Sequence, residues 1–393
     1  MLITRRLGYD PGLAIEDSLR ALARYDWSKP GGGLLAYFPV ARGNPFQSLL
    51  YSGLESAGLI PVPTYDLDTT LAVADAMAGS GIRLVVHAHW LNTVMADADD
   101  ETTARERLKR YLEGWRELRD RGARLLWTVH NILPHESRFP RLEAELRQGT
   151  VGACERVHVM SPRTSELVSP WFDVPKAKLL PIPHPAYHGV YPSRLSQSQA
   201  RAELGIPPDV TVFLLFGLIA PYKGLTELLG AFDQLCEREP GRHVLLVAGA
   251  PTDDPETKAC CERLLTHPTA HASLRKIPTE EVQVFLRAAD IAVFPYRRML
   301  NSGALALALT VGLPVVVRDD CGEAAPGDSA YAVRYDARLP HGLVDALARA
   351  GRDLTTSKAR AAAAKAAKRV SPDRIGTKFA TAVRRWLDNG SRT

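Results

Sequence analysis

Nine residues, TVHNILPHE (128–136), bring together two histidines, an asparagine and a glutamate. The apolar run RLLWTV leads into them and a helix-like stretch follows from about Phe139. Three kinds of chemistry suit this set. Glu136 can act as a general base toward a hydroxyl, with His135 or His130 tuning it. His130, with Asn131 beside it, can hydrogen-bond a substrate. Alternatively the group is a structural turn in which Glu136 accepts from backbone amides. A Ser-His-Asp hydrolase is disfavoured, because no serine sits between elbow glycines at a strand-to-helix turn.

Other strand ends carry comparable residues. HAHWLN (87–92) places His87 and His89 on one side by alternation. No third ligand follows at a metal-binding spacing, so no metal is expected. His89, Trp90 and Asn92 suit a pocket wall, where the Trp90 ring offers an apolar face for a ligand to stack on. In FPVARGNPF (38–46), Asn44 reads as an N-cap and Pro45 as a first helical residue, with Arg42 and Gly43 on the preceding loop. Ser161, His184 and Tyr187 are further candidates, while His158 reads as a buried, hydrogen-bonded core residue. In the second half, a strand ends at Gly217 and Lys223-Gly224 opens a helix, a placement that suits an anion such as phosphate. PYRRMLNSGAL (295–305) repeats the design: Arg297 and Arg298 sit on a loop, Asn301 or Ser302 caps a helix, and Gly303 permits close approach of a ligand.

These residues need a scaffold. Short continuous apolar runs at 34–40, 83–89, 124–130, 155–161, 211–217, 243–249, 290–296 and 313–319 alternate with longer amphipathic stretches. That pattern predicts parallel sheets covered by helices on both faces. The Pro- and Ser-rich segment 179–199 separates two such series. The expected organisation is an N-terminal extension (1–31), a first Rossmann-like domain (32–190), a second (200–370) and a C-terminal helix (371–393) packing across both domains. The final helices, about 356–388, read as too polar for a core. In doubly wound sheets ligands bind beyond the carboxyl ends of the strands, which is where the candidates lie.

The 393 residues are 46% hydrophobic and 24% charged, a globular balance that excludes wholesale disorder. Net charge is +5, but residues 351–393 hold 11 Lys/Arg against 3 Asp/Glu. This basic tail could touch anionic lipid, or simply be a solvated helix face. Basic residues without interleaved aromatics argue against nucleic acid. Five cysteines without metal or disulfide spacing fit a reducing, cytoplasmic setting, peripheral to a membrane at most. No signal peptide and no membrane-length apolar run is read.

The segment from Gly217 through Lys223-Gly224 to DIAVFPY…SGALALALTVGLPVVV resembles the nucleotide-sugar-binding domain of GT-B fold glycosyltransferases, family 4-like, over most of 208–335 and more loosely in the N-terminal half. The coexistence of HNxxPHE, PYKG and SGAL resembles a divergent bacterial branch. The resemblance implies two facing Rossmann-like doubly wound domains. It further implies that Gly217, Lys223 and Gly224 face the donor diphosphate, that Ile277 in RKIP lies by the base, and that the loop Tyr296–Ala304 (with Arg297, Asn301, Ser302 and Gly303) wraps phosphates and sugar. His130 and Glu136 would be catalytic. Arg42, Gly43, Asn44, His89, Trp90, Asn131 and His135 would line the acceptor side. The sequence departs from the common pattern at three positions. Leu218 replaces an arginine, and Met299 and Leu307 stand where two glutamates are usual. The implied activity is hexosyl transfer from a UDP- or GDP-sugar to a hydroxyl of a glycan, glycolipid or small natural product, without bound cofactor or metal and with retention. The alternatives are a catalytically altered sugar-nucleotide binder or partner subunit, and a nucleotide-sugar epimerase.

Overall fold

The computed structural model describes residues 23, 32–41, 43–134, 137–320 and 329–389. Arg42, His135 and Glu136 lie outside the described residues, as does the N-terminal extension apart from Ala23. The chain divides into two compact units, one formed by the part before Ala186 together with residues from Pro372 onward, the other by Ala186–Ser371.

In the first unit the order is β1 (Gly33–Phe38), α1 (Phe46–Leu50), β2 (Leu59–Pro63), α2 (Leu67–Met77), β3 (Arg83–Ala88), α3 (Glu101–Asp120), β4 (Arg124–Thr128), α4 (Pro140–Ala153), β5 (Arg156–Val159), α5 (Thr164–Val168) and β6 (Leu179–Pro181). The strands pair only in parallel, in the order β2-β1-β3-β4-β5-β6. Helix starts follow side-chain chemistry. Asp66 and Thr69 form a reciprocal capping box at α2, and Asp100 accepts from the Thr103 amide at α3. Strand order reverses between β1 and β3, so the loops after these two strands flank the crevice where such sheets take ligands.

The second unit repeats the design with α6 (Gln197–Leu204), β7 (Thr211–Phe216), α7 (Leu225–Arg238), β8 (His243–Ala248), α8 (Pro255–Thr266), β9 (Ala270–Ser273), α9 (Val282–Ala288), β10 (Ile291–Phe294), α10 (Gly303–Thr310), β11 (Val315–Arg318), β12 (Ala332–Tyr335), α11 (Gly342–Asp353) and α12 (Ser357–Arg369). Its parallel sheet runs β12-β11-β10-β7-β8-β9, and the reversal falls between β10 and β7. Phe213, Leu229, Phe232, Leu245, Val293 and Val316 anchor its core.

The last helix, α13 (Pro372–Asn389), corrects one expectation. It is not too polar for a core: Ile375, Phe379, Val383 and Trp386 line one buried face. Averaging over the segment hides that stripe, because the opposite face is charged. The helix packs on α1, where a Cβ on Gly53 would lie 2.6 Å from the Gly376 carbonyl. No helix among the described residues is long and apolar enough to cross a membrane.

The core of the first unit is partly polar. His87, His89, Thr128 and His158 are all buried at 1% exposure or less. His158 Nε2 donates to the Ile182 carbonyl at 2.8 Å. Burial pushes the His158 pKa down to about 4, the carbonyl bond only partly opposing it.

Two outcomes follow from this packing. Gly53→Val should cost about 1–3 kcal/mol through overpacking against α13, read by urea denaturation. The His158 pKa is depressed on folding, so its stabilising contribution is complete above the unfolded value of about 6.5 and is lost as pH falls toward 4. His158 alone should remove on the order of 2 kcal/mol between pH 7 and pH 5; equal unfolding free energies at the two pH values would contradict this.

Candidate functional site

In the first unit, the sheet's carboxyl edge gathers histidines from three strands. Residues two apart on a strand share a face, so His87 and His89 leave β3 together, their ring centroids 4.2 Å apart. Tyr51, just past the end of α1, meets both, its Oη 2.8 Å from His87 Nδ1 and 2.6 Å from His89 Nε2. His87 Nε2 lies 2.6 Å from Thr128 Oγ1, which lies 2.9 Å from His158 Nδ1. At the other end His89 Nδ1 lies 2.9 Å from His130 Nε2. Trp90 stacks on His130 at 4.2 Å and 19°. Phe46 of α1 presents its edge to His130, at 5.0 Å, and its ring also lies 5.0 Å from His184. Burial, then the neighbouring histidines, hold His87, His89 and His130 well below the usual imidazole pKa, so all three are neutral at pH 7.

His89, Trp90 and His130 thus come together, with Asn131 following half-buried. Gly43, with φ of 70°, and Asn44 are exposed. The Asn44 side chain accepts from the Phe46 amide at 3.1 Å, and α1 begins one residue later than the N-cap reading placed it. Gln47, buried, pins this loop by accepting from the Ala41 amide and donating to the Pro39 carbonyl. Beside Trp90 opens a groove of about 530 Å³ walled by Phe38, Pro39, Leu67, Val94 and Tyr111, with Asp66, Asp68, Glu106, Arg107 and Arg110 also lining it. Its apolar wall and charged residues suit an amphipathic ligand. Among the described residues, no group of three or more His, Cys, Asp or Glu side chains could hold a metal ion.

In the second unit, β7 is followed by Gly217, whose φ of 104° favours glycine. Its carbonyl would meet a Cβ on Gly249 at 1.8 Å, so the ends of β7 and β8 approach as only glycine allows. A tight turn, Pro221–Lys223, leads to Gly224 at φ 70°, where a Cβ would strike the Pro295 carbonyl at 2.2 Å. This turn buries Lys223 to 7% exposure and sets its ammonium 3.8 Å from the centroid of the Tyr296 ring. Lys223 has no ion pair among the described residues, and burial lowers its pKa to about 7. Ser302 caps α10 by accepting from the Leu305 amide at 3.2 Å, leaving the Gly303 and Ala304 amides as the first donors of the helix. Asn301 precedes the cap, half-buried, and Ile277 is half-buried on the segment after β9.

One residue departs from its expected part. Arg297 is forked between Glu227 and Glu256, with three of its contacts at 2.6 to 3.0 Å. Two carboxylates already neutralise it, so it braces the loop where a phosphate contact was expected. Arg298 is exposed. Met299 and Leu307, at the positions of the usual glutamates, are buried apolar residues, and Leu218 is 48% exposed. Tyr51, Thr128, Phe46 and Gln47 escaped sequence reasoning. The signal was present for Thr128, a polar residue ending a buried apolar strand two places before His130, which requires a hydrogen-bond partner.

Comparison with known proteins agrees with this fold. Residues 196–369 match the family model described as glycosyl transferases group 1. The chain is 27% identical over 316 residues, 78% of its length and 81% of the relative's, to a GDP-mannose:glycolipid 4-beta-D-mannosyltransferase of Xanthomonas campestris. A D-inositol 3-phosphate glycosyltransferase of Catenulispora acidiphila is 33% identical over 178 residues, covering 37% of this chain and 39% of its own. Among solved structures, a sucrose-phosphate synthase from Thermosynechococcus elongatus superimposes with a TM-score of 0.65 at 16% identity, over 91% of this chain and all of its own. An Anabaena protein in complex with UDP and glucose gives 0.65 at 14%, over 90% and 99%. The chain thus has two Rossmann-like, doubly wound domains, the fold of these solved structures, and the group 1 match over its second unit together with these relatives supports a glycosyltransferase.

Proposed function

We propose that the chain moves a sugar from a UDP- or GDP-sugar to a hydroxyl of an acceptor that combines a polar group with an apolar portion, as a glycolipid does. The second unit takes the donor and the first takes the acceptor. The observation that carries this reading is Lys223, a buried cation held on an aromatic face without a carboxylate partner among the described residues. A desolvated ammonium is costly until an anion arrives. A diphosphate near it, with the Gly303 and Ala304 amides, supplies that anion and disperses the charge that develops on the leaving group. No metal is required in this scheme. On the acceptor side, the groove beside Trp90 supplies apolar contact for the aglycone, and the ring itself suits a sugar face. The glycolipid acceptor in the name of the Xanthomonas relative supports that assignment. Glu136, or His130 in its place, is the candidate base for the acceptor hydroxyl; if neither serves, the departing diphosphate takes that proton, and attack from the leaving-group side keeps the donor's anomeric configuration.

Lys223→Ala should raise the Kd for UDP or GDP about 10- to 100-fold, the value of one or two charge-assisted hydrogen bonds, with thermal stability retained. In the wild type, nucleotide affinity should fall as pH rises above about 7, because the free-state lysine loses its proton there while the bound state retains it; calorimetry at pH 6 and pH 9 checks the sign. Val94→Trp, which fills the groove, should raise acceptor KM about tenfold or more with nucleotide affinity unchanged. An unchanged acceptor KM would remove the groove from the site. Full activity in EDTA and NMR of the product's anomeric proton check metal independence and retention.

A further inference from the structure

The histidine contacts form one unbroken line of hydrogen bonds: His130, His89, Tyr51, His87, Thr128, His158 and the Ile182 carbonyl. A carbonyl can only accept. The proton between it and His158 therefore sits on His158 Nε2. A neutral imidazole carries one N–H, so His158 Nδ1 accepts and the Thr128 hydroxyl donates to it. Thr128 has a single hydroxyl proton, so it must accept from His87 Nε2. His87 Nδ1 then accepts, and the Tyr51 hydroxyl donates to it. Tyr51 in turn accepts from His89 Nε2, leaving His89 Nδ1 to accept from His130 Nε2. Each step has one solution. Burial supplies the condition for this counting, since it keeps all four rings neutral at pH 7.

We infer that the Ile182 carbonyl orders every proton along this line, holding His130 as its Nε2–H tautomer with Nδ1 as a hydrogen-bond acceptor, and that Tyr51, Thr128, His87 and His158 are positioning residues for His130. Whatever meets Nδ1 must donate. A hydroxyl hydrogen satisfies it, whereas a phosphate oxygen or a carbonyl meets lone pair with lone pair. The consequence for catalysis rests on the sugar-transfer reading: there, His130 recognises a sugar hydroxyl through that hydroxyl's proton and discriminates against a substrate with the oxygen methylated. The ordering itself does not depend on that reading.

Protein with 15N-labelled histidine reports ring protonation through long-range 1H–15N correlations, and a His130→Asn variant assigns the His130 signals. Wild type should show His130 protonated at Nε2 and bare at Nδ1. Thr128→Val cuts the line from its anchor, so the links from His87 to His130 can reverse together and His130 should shift toward Nδ1–H. Thr128→Ser restores the hydroxyl and should restore the wild-type pattern. If Thr128→Val fails to fold, Tyr51→Phe reads the same ordering: His89 and His130 should change tautomer while His87 and His158 do not. A wild-type His130 protonated at Nδ1, or a His130 tautomer unmoved by Thr128→Val or by Tyr51→Phe, overturns the inference. A shifted tautomer in a protein that transfers no sugar supports the ordering and sinks the functional reading instead. With an active enzyme, Thr128→Val should lower kcat at least tenfold and Thr128→Ser should recover most of it.

Discussion

A parallel ladder covers each interior strand on both faces and both edges, leaving polar side chains little room except where the strands stop. All strand pairings recorded in the two sheets are parallel, so in each unit those stops lie along one edge. The reversal of strand order then parts neighbouring loops at one place, between β1 and β3 in one sheet and between β7 and β10 in the other. His89 and Trp90 follow β3, and the loop holding Asn44 follows β1. Lys223 follows β7, and the loop from Tyr296 to Ser302 follows β10. The location of the chemistry is thus a consequence of strand direction.

Desolvation disfavours the cationic form in both groups of residues, with different outcomes near neutral pH. Around Tyr51 it strips protons from four imidazoles and leaves an uncharged network whose bonds must all be satisfied internally. At Lys223 it brings the amine close to equal protonation near pH 7, with the rings of Tyr296 at 3.8 Å and Tyr222 at 5.2 Å in compensation. The first arrangement suits recognition of neutral hydroxyls and the second suits an anion, which is the division of labour that sugar transfer from a diphosphate carrier requires.

Much of this was legible in the sequence, and the omissions share a cause. Eight apolar runs mark β1, β3, β4, β5, β7, β8, β10 and β11, the strands interior to the two sheets. The four missed, β2, β6, β9 and β12, are the edges. An edge strand is covered less completely and tolerates proline, as LIPVP does at β2, so it lacks the continuous apolar signal. The same logic separates the site residues. Lys223 and Ser302 announce themselves through local turn and cap chemistry, and His89 and Trp90 through their position at a strand end. Tyr51 lies 36 residues from His87 and acts only through tertiary contact, which no local pattern records. Arg297 misled for the converse reason: its charge is visible in the sequence, but the two glutamates that occupy it stand on α7 and α8.

That double ion pair has a thermodynamic consequence of its own. Arg297 joins the first turns of two helices to the loop after β10, and the Arg297 amide donates to the Tyr222 carbonyl at 2.8 Å. A loop of this kind, left loose, would surrender its conformational freedom only when ligand arrived, and each immobilised residue would weaken binding by about 1–2 kcal/mol. Here the restriction is imposed when the unit folds. Under the proposed donor reading, Glu227, Arg297 and Glu256 act as a preorganising clamp, aiding affinity through the entropy already removed on folding.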